Sequence, residues 1–549
     1  MSRHALRFTG RKHGWARAAT VVALTAILCA SGWVGVGPRA EEPHWPMTPL
    51  TAPDLINPQR GQFANIGTEL FPQANPAQAR YPDWPGTRDA AIRFDWRTLQ
   101  PRDPRSIPPD APDTERFDFS KIDEALDVYG NAGIRTALRI SSYDSCCEKV
   151  YENATNIGVP DWLRELPGST RSYVHDGVKQ IVPEWNHPDY LGHFTELLAA
   201  LGRRYDLDER LAVFEMSGYG DFSENHVAVL RDHLGAPGPA PEDSEAALGY
   251  YSQYADQTLT QRAAEQLVSA NLRAFPHTRI VTAAGNPAIT KLLLRDSPEL
   301  AVVDHLVGLR SDCLGVYGVV PTWAVNPYSK YVERADPIIG DLLDRYAVAP
   351  VLTEWCRKPS DVKAEDYYTF ALREVVSNHV SLVASTGFPD QLPDEPMPPA
   401  LYEGLARTFT LSGYRYAAHG RTLGPGELEV TWKNLGSAAT HDRWKANFTV
   451  RDESGAAVGV VPAKTSLNNL VATRTAGNDR ETPIPAVTTE RIVFPTTNLK
   501  PGRYTVVVTV EWDEHKPSAT HTVNYPPMQL AMSGRGPDGS YRVGEFDIG

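Results

Sequence analysis

Short apolar runs separated by amphipathic stretches recur along most of this chain, and that alternation constrains the fold more than any other feature. The runs lie at 63–70, 90–95, 134–141, 211–217, 279–284, 305–309, 350–353 and 380–386. Runs of this length, bounded by turn residues and rich in branched side chains, read as strands buried on both faces. Between several of them lie helix-period patterns at 119–132, 190–205, 246–274, 338–346 and 364–378. Strand–helix alternation implies a parallel sheet. Eight such units over 63–412 predict a (β/α)8 TIM barrel with enlarged loops. A doubly wound open sheet is the alternative, but no G-x-G-x-x-G or G-x-x-x-x-G-K-[ST] follows any of the runs, which counts against its nucleotide-binding forms.

The chain is 549 residues long. A single core stops growing at about 250–300 residues, so a second domain is expected. From Gly413 the texture changes. Segments at 427–433, 445–451 and 504–512 are rich in Val, Thr, Tyr and Trp, alternate apolar with polar, and are separated by turns such as Leu423-Gly424-Pro425-Gly426. This pattern predicts an antiparallel, Ig-like β-sandwich over 413–549. The net charge of −13 argues against nucleic acid or an anionic membrane surface as partner. Oligomeric state is not legible.

The N-terminus has a secretory pattern. Arg3, Arg7, Arg11, Lys12 and Arg17 precede an almost wholly apolar stretch at 18–36. Residues 1–40 are therefore expected to be a cleaved signal, or an uncleaved anchor that gives the chain its one membrane contact. A Pro-rich extended linker, 41–62, is expected to follow. Beyond the signal, Cys146, Cys147, Cys313 and Cys356 permit two disulfides in an exported protein. Cys146 and Cys147 can each pair with a distant cysteine or close a vicinal ring, and Cys356 has Cys313 as a candidate partner.

Barrel active sites lie at the C-terminal ends of the strands, so the polar residues just after the apolar runs are the candidates. The fourth run leads through Glu215 into Tyr219 and then Ser223-Glu224-Asn225-His226. The seventh ends in Glu354-Trp355-Cys356. Two carboxylates on opposite sides of one mouth are what glycosidic cleavage needs: one protonates the leaving oxygen while the other attacks the anomeric carbon or activates water. Trp96, Tyr143, Tyr219, Trp323 and Trp355 are candidates for stacking on sugar faces. Arg93 and Arg310 are candidates for holding Glu354 ionised, since a nearby cation lowers a carboxylate pKa. Asn286, His226 and Asp312 complete the candidate binding set. No H-E-x-x-H, C-x-x-C or G-x-S-x-G appears, so neither a metal, a cofactor nor a serine nucleophile is expected.

Several short motifs carry a resemblance. They are Asn57-Pro58-Gln59-Arg60-Gly61, Arg93-Phe94-Asp95-Trp96, Val159-Pro160-Asp161-Trp162-Leu163, Phe222-Ser223-Glu224-Asn225-His226, Gly308-Leu309-Arg310-Ser311-Asp312 and Leu352-Thr353-Glu354-Trp355. With them the chain resembles clan A glycoside hydrolases of the β-galactosidase type, and a group of exported bacterial proteins that join such a barrel to a C-terminal sandwich. The resemblance implies a retaining hydrolase acting on an oligo- or polysaccharide, with Glu354 as nucleophile and Glu224 as acid/base. The chain departs from the clan in having Ser223, where asparagine usually precedes the acid/base. Glu215, inside the fourth run, is the rival acid/base. A catalytically silent, carbohydrate-binding barrel or a cell-surface scaffold is the alternative.

Overall fold

Each of the eight apolar runs forms one strand of a closed parallel barrel. The computed structural model describes residues 55–66, 87–144, 155–175, 177–227, 259–314, 337–355, 364–384, 399–471 and 481–549. The expected signal, Cys146, Cys147, Cys356, Trp323 and the side chains of Asp312 and Cys313 lie outside what is described. So does most of the expected linker. Among the described residues, no helix is long and apolar enough to cross a membrane.

The barrel opens with β1 (Gly61–Ile66), β2 (Asp89–Asp95) and β3 (Arg135–Ser141). A small sheet follows, made of β4 (Thr155–Ile157), β5 (Thr170–His175) and β6 (Val178–Pro183). The barrel resumes with β7 (Leu211–Glu215), β8 (Arg279–Ala283), β9 (Gly308–Leu314), β10 (Val351–Trp355) and β11 (Leu382–Ala384), which pairs with β1 to close the ring. Helices cover the outside, so the strands are buried on both faces. The helix Pro188–Tyr205 buries Tyr190, Leu191, Phe194, Leu197, Leu198, Leu201 and Tyr205 at helical spacing. The helix Gln261–Ala274 starts at Thr260, whose hydroxyl accepts from the Ala263 N–H.

Two strands outrun the apolar runs that mark them. The sixth strand continues through Arg310 and Ser311 to Leu314, and the seventh includes Glu354 and Trp355. In both, a charged residue stays within the strand because it meets an opposite charge inside the barrel. Residues 55–60, expected as extended linker, instead form a packed seam. The Asn57 amide donates to the Gln529 carbonyl and accepts from its N–H. The Arg60 guanidinium donates to the carbonyls of Leu55, Thr410 and Tyr414.

The C-terminal region is an antiparallel sandwich. One sheet holds β12 (Tyr416–Gly424), β13 (Glu427–Asn434) and β16 (Ala486–Val493). The other holds β14 (Trp444–Arg451), β15 (Ala457–Pro462), β17 (Gly502–Trp512) and β18 (Tyr541–Ile548). Along β13, buried Leu428, Val430 and Trp432 alternate with half-buried Glu429, Thr431 and Lys433. The sandwich closes the N-terminal end of the barrel. Asp442 pairs with Arg135 at 3.1 Å and with Arg279 at 3.6 Å. The Lys516 ammonium donates to the carbonyls of Asp208 and Leu211 and to the Thr278 hydroxyl.

Candidate active site

Three glutamates from two sides of the barrel converge on one guanidinium at the C-terminal end of the strands. Arg310, on β9, meets Glu215 Oε2 through Nε at 3.0 Å, Glu224 Oε1 through Nη1 at 3.2 Å and Glu354 Oε2 through Nη2 at 2.5 Å. Arg139, on β3, lies 2.8 Å from Glu224 Oε1 through Nη1 and 3.5 Å from Glu215 Oε2 through Nε. Both arginines are buried. Arginine suits such a place because its planar fork presents several donors with little rearrangement. Glu354 keeps 19% of its side chain exposed, against 8% for Glu215 and 10% for Glu224, so it is the carboxylate most open to a ligand.

Glu215 ends β7, whereas Glu224 lies nine residues further on, yet both reach the same arginines. The loop between them folds back because its backbone is forced to. Gly218 (φ 112°) and Gly220 (φ 85°) adopt left-handed geometry, and so do Phe222, Ser223 and Asn225, with φ near 55–60°. Such values cost non-glycine residues about 1 kcal/mol or more each, so they persist only where other contacts fix them. A Cβ on Gly220 would stand 2.2 Å from the His226 carbonyl oxygen. The loop is stitched to β3 and the turn after it: the Ser223 hydroxyl donates to the Ile140 carbonyl at 2.7 Å, and the Phe222 N–H donates to the Tyr143 carbonyl at 3.0 Å. On the other side the Asn225 amide donates to the Thr282 hydroxyl of β8.

The electrostatics follow from this packing. Burial pushes the Glu224 carboxyl up, but Arg310, His226 and Arg139 outweigh it and hold the group well below the usual carboxylate range. Its two oxygens face different partners. Oε1 takes both guanidinium groups, while Oε2 lies 3.4 Å from His226 Nε2. Behind His226, Nδ1 is 3.6 Å from Oδ2 of the fully buried Asp221. Arg93, on β2, lies over the Phe222 ring at 5.2 Å and 3.9 Å from Asp144.

Of the candidates read from sequence, Glu215, Glu224, Glu354, Arg310 and His226 meet in one cluster, and Arg93 flanks it. The aromatic candidates do not join them as exposed platforms. Trp96 is fully buried, with its indole N–H donated to Gln100 and its ring edge-on to Trp162, Tyr190 and Phe194. Tyr143 and Tyr219 are also buried and pack on Trp185. Trp355 donates to the Ala384 carbonyl and packs against Tyr367 and Tyr368. None of these four offers a free ring face, because aromatic side chains near a strand end can fill the space between barrel and helices. Asn286 caps the helix Pro287–Lys291 by accepting from the N–H groups of Ala288 and Ile289. Arg139 and Asp221 were missed. An arginine within Ala137-Leu138-Arg139-Ile140 was the available signal, since a cation inside a buried strand needs a carboxylate.

No protein-family model matches the chain. No curated protein matches it either. Among solved structures, the chain is similar to the endo-glycoceramidase II from Rhodococcus sp. in its lactosyl-enzyme intermediate (13% identity, TM-score 0.39, 80% of this chain and 100% of that one). It is also similar to a beta-1,4-D-mannanase from Cryptopygus antarcticus (11% identity, TM-score 0.31, 62% of this chain and 82% of that one). A third is the alpha-L-fucosidase isoenzyme 1 from Paenibacillus thiaminolyticus (13% identity, TM-score 0.27, 77% and 86%). Likenesses this slight carry no argument about the reaction, which rests on the site alone.

Proposed function

We propose that the barrel is a retaining glycoside hydrolase acting on an oligo- or polysaccharide. The observation that carries this reading is the convergence of Glu354 and Glu224, from the seventh and fourth strands, on the single guanidinium of Arg310. Two carboxylates within reach of one fork favour the close pairing of about 5–5.5 Å that a double displacement uses, over the wider spacing of inversion. Glu354, the most exposed of the three and paired with a permanent cation, is the nucleophile. Its oxygen bonds to the anomeric carbon as the bond to the leaving oxygen breaks. Glu224 is the acid/base, and Glu215 holds both arginines in place from below.

The basic and then apolar N-terminus supports an exported or cell-surface location. The test of the activity is a screen of nitrophenyl glycosides and cell-wall polysaccharides, with Glu354→Gln as the blank. We expect turnover of at least one substrate, and its loss by about 1,000-fold or more in the variant, the scale seen when a covalent nucleophile is removed. Equal rates in the two proteins would remove Glu354 from the mechanism, and binding of a glycan without turnover would make the barrel a sugar-binding protein.

A further inference from the structure

An acid/base glutamate must hold a proton when the leaving group departs. Glu224 is instead held ionised in the resting site by the two arginines at Oε1. The proton has to be kept elsewhere and arrive at the other oxygen. We propose that Asp221, His226 and Glu224 form one proton-holding unit, in which His226 stores the proton that Glu224 delivers. The hydrolase reading supplies the final transfer in this scheme, but the sharing of the proton between His226 and Glu224 stands without it.

The geometry is a line of three groups on one loop. Asp221 Oδ2 is 3.6 Å from His226 Nδ1, and His226 Nε2 is 3.4 Å from Glu224 Oε2. A histidine between two carboxylates is favoured as imidazolium, with one N–H directed at each. The backbone holds this line in place: the Asp221 N–H donates to the His226 carbonyl at 2.7 Å, and the Glu224 N–H donates to the Asp221 carbonyl at 2.8 Å. The left-handed residues between them bend the chain so that positions 221, 224 and 226 face one another.

The charged groups around His226 come from several elements. Arg139 of β3 and Arg310 of β9 bind the far oxygen of Glu224, and Arg310 carries Glu215 and Glu354 behind it. Arg93 of β2 lies on Phe222 of the same loop. After β8 the neighbour is Gly285, where an added Cβ would stand 3.0 Å from His226 Cβ, so that side is closed by backbone.

The step balances as a transfer within the pair. The proton on His226 Nε2 moves to Glu224 Oε2, turning imidazolium and carboxylate into neutral imidazole and carboxylic acid. The Nδ1–H remains directed at Asp221. Glu224 then gives the proton to the leaving oxygen, which keeps the electron pair of the broken glycosidic bond while Glu354 takes the anomeric carbon. Water then bonds to the anomeric carbon as the bond to Glu354 breaks, and the proton it loses passes to Glu224 and back to His226. In this scheme His226 and Asp221 are positioning residues, and Glu224 is the group that touches substrate.

Two measurements on the full chain test this. In protein labelled at histidine 13Cε1, the His226 resonance is identified by its loss in His226→Gln and followed through a pH titration. Glu224→Gln is expected to lower its midpoint by about one pH unit or more, as removal of an adjacent carboxylate does. Asp221→Asn should move it the same way. A midpoint that both substitutions leave in place overturns the shared proton. In kinetics, His226→Gln should reduce kcat/KM by about 100-fold or more on a phenyl glycoside, which needs protonation. The loss should be about 10-fold or less on a dinitrophenyl glycoside, which does not. Equal losses on both overturn delivery through Glu224. If the unsubstituted chain turns over no glycoside, the hydrolase reading fails while the titration still decides the proton sharing.

Discussion

Arg135 and Arg139 stand four residues apart on β3, on the same face of the strand and about 13 Å from each other along it. One serves the N-terminal floor of the barrel and the other its C-terminal mouth. Both are buried and both belong to networks of two arginines with carboxylates. At the floor, Arg135 and Arg279 share Asp442, Arg135 also donates to the Glu209 carbonyl and lies over the Trp512 ring, and the sandwich supplies the closing side chains. At the mouth, Arg139 and Arg310 face three glutamates, and the outermost, Glu354, remains partly exposed. The same residue type on one strand thus does two jobs. One cation network is closed by a second domain, while the other leaves excess carboxylate facing outward.

Removing the shared central charge of each network, a cation at the mouth and an anion at the floor, should separate these roles. Arg310→Met leaves Glu215, Glu224 and Glu354 buried together without their shared partner. We expect a loss of about 3–5 kcal/mol in urea unfolding, with loss of turnover. Asp442→Ala at the floor strands Arg135 and Arg279, and should cost about 3 kcal/mol while turnover under folding conditions persists. If Asp442→Ala abolishes turnover as fully as Arg310→Met does, the division between floor and mouth is wrong.

The two ends should also respond to pH in different windows. Glu224 has a folded value below its unfolded value of about 4.5, so its contribution is present above pH 4.5 and lost as pH falls through the folded value. Lys516 behaves differently. Burial pulls it down to about 7, helped by Arg135 and opposed by Asp206, Asp208 and Glu209. The folded state therefore binds that proton more weakly than the unfolded chain between pH 7 and 10.5, and stability should rise across this window. Urea midpoints from pH 7 to 9.5 check this: the rise seen for the unsubstituted chain should be missing in Lys516→Met. An equal rise in both proteins would take Lys516 out of the account.

The smallest effect concerns a mouth residue whose role is local. Asn286→Ala removes a helix cap and should cost about 1 kcal/mol with kcat and KM unchanged. A change in KM would mean that Asn286 meets substrate as well as capping.

Much of this organisation was legible in the order of residues. The apolar runs placed all eight strands, because strand burial on both faces leaves a continuous apolar signature. The change to two-residue alternation after Gly413 marked the sandwich because its strands bury only one face, so apolar and polar residues alternate. Glu354 was legible as a strand-end carboxylate, since it follows its apolar run at 350–353 directly. The aromatic candidates show the limit. Trp96 and Trp355 sit beside strand ends in sequence, but composition does not say whether a ring turns outward or fills the layer under the helices.

The sequence by itself determined the barrel, the sandwich and the position of Glu354, all of which follow from local periodicity. That Glu215 and Glu224 both meet Arg139 and Arg310 was decided by the tertiary structure alone. Five left-handed backbone positions and hydrogen bonds to β3 and β8 return the loop to the barrel axis. Arg139 then acquires a partner 85 residues away in the chain, while Asp221 meets His226 within the returning loop itself. An arginine in a buried strand signals that a carboxylate must meet it but not which one, because that choice resides in contacts between elements separated by tens of residues.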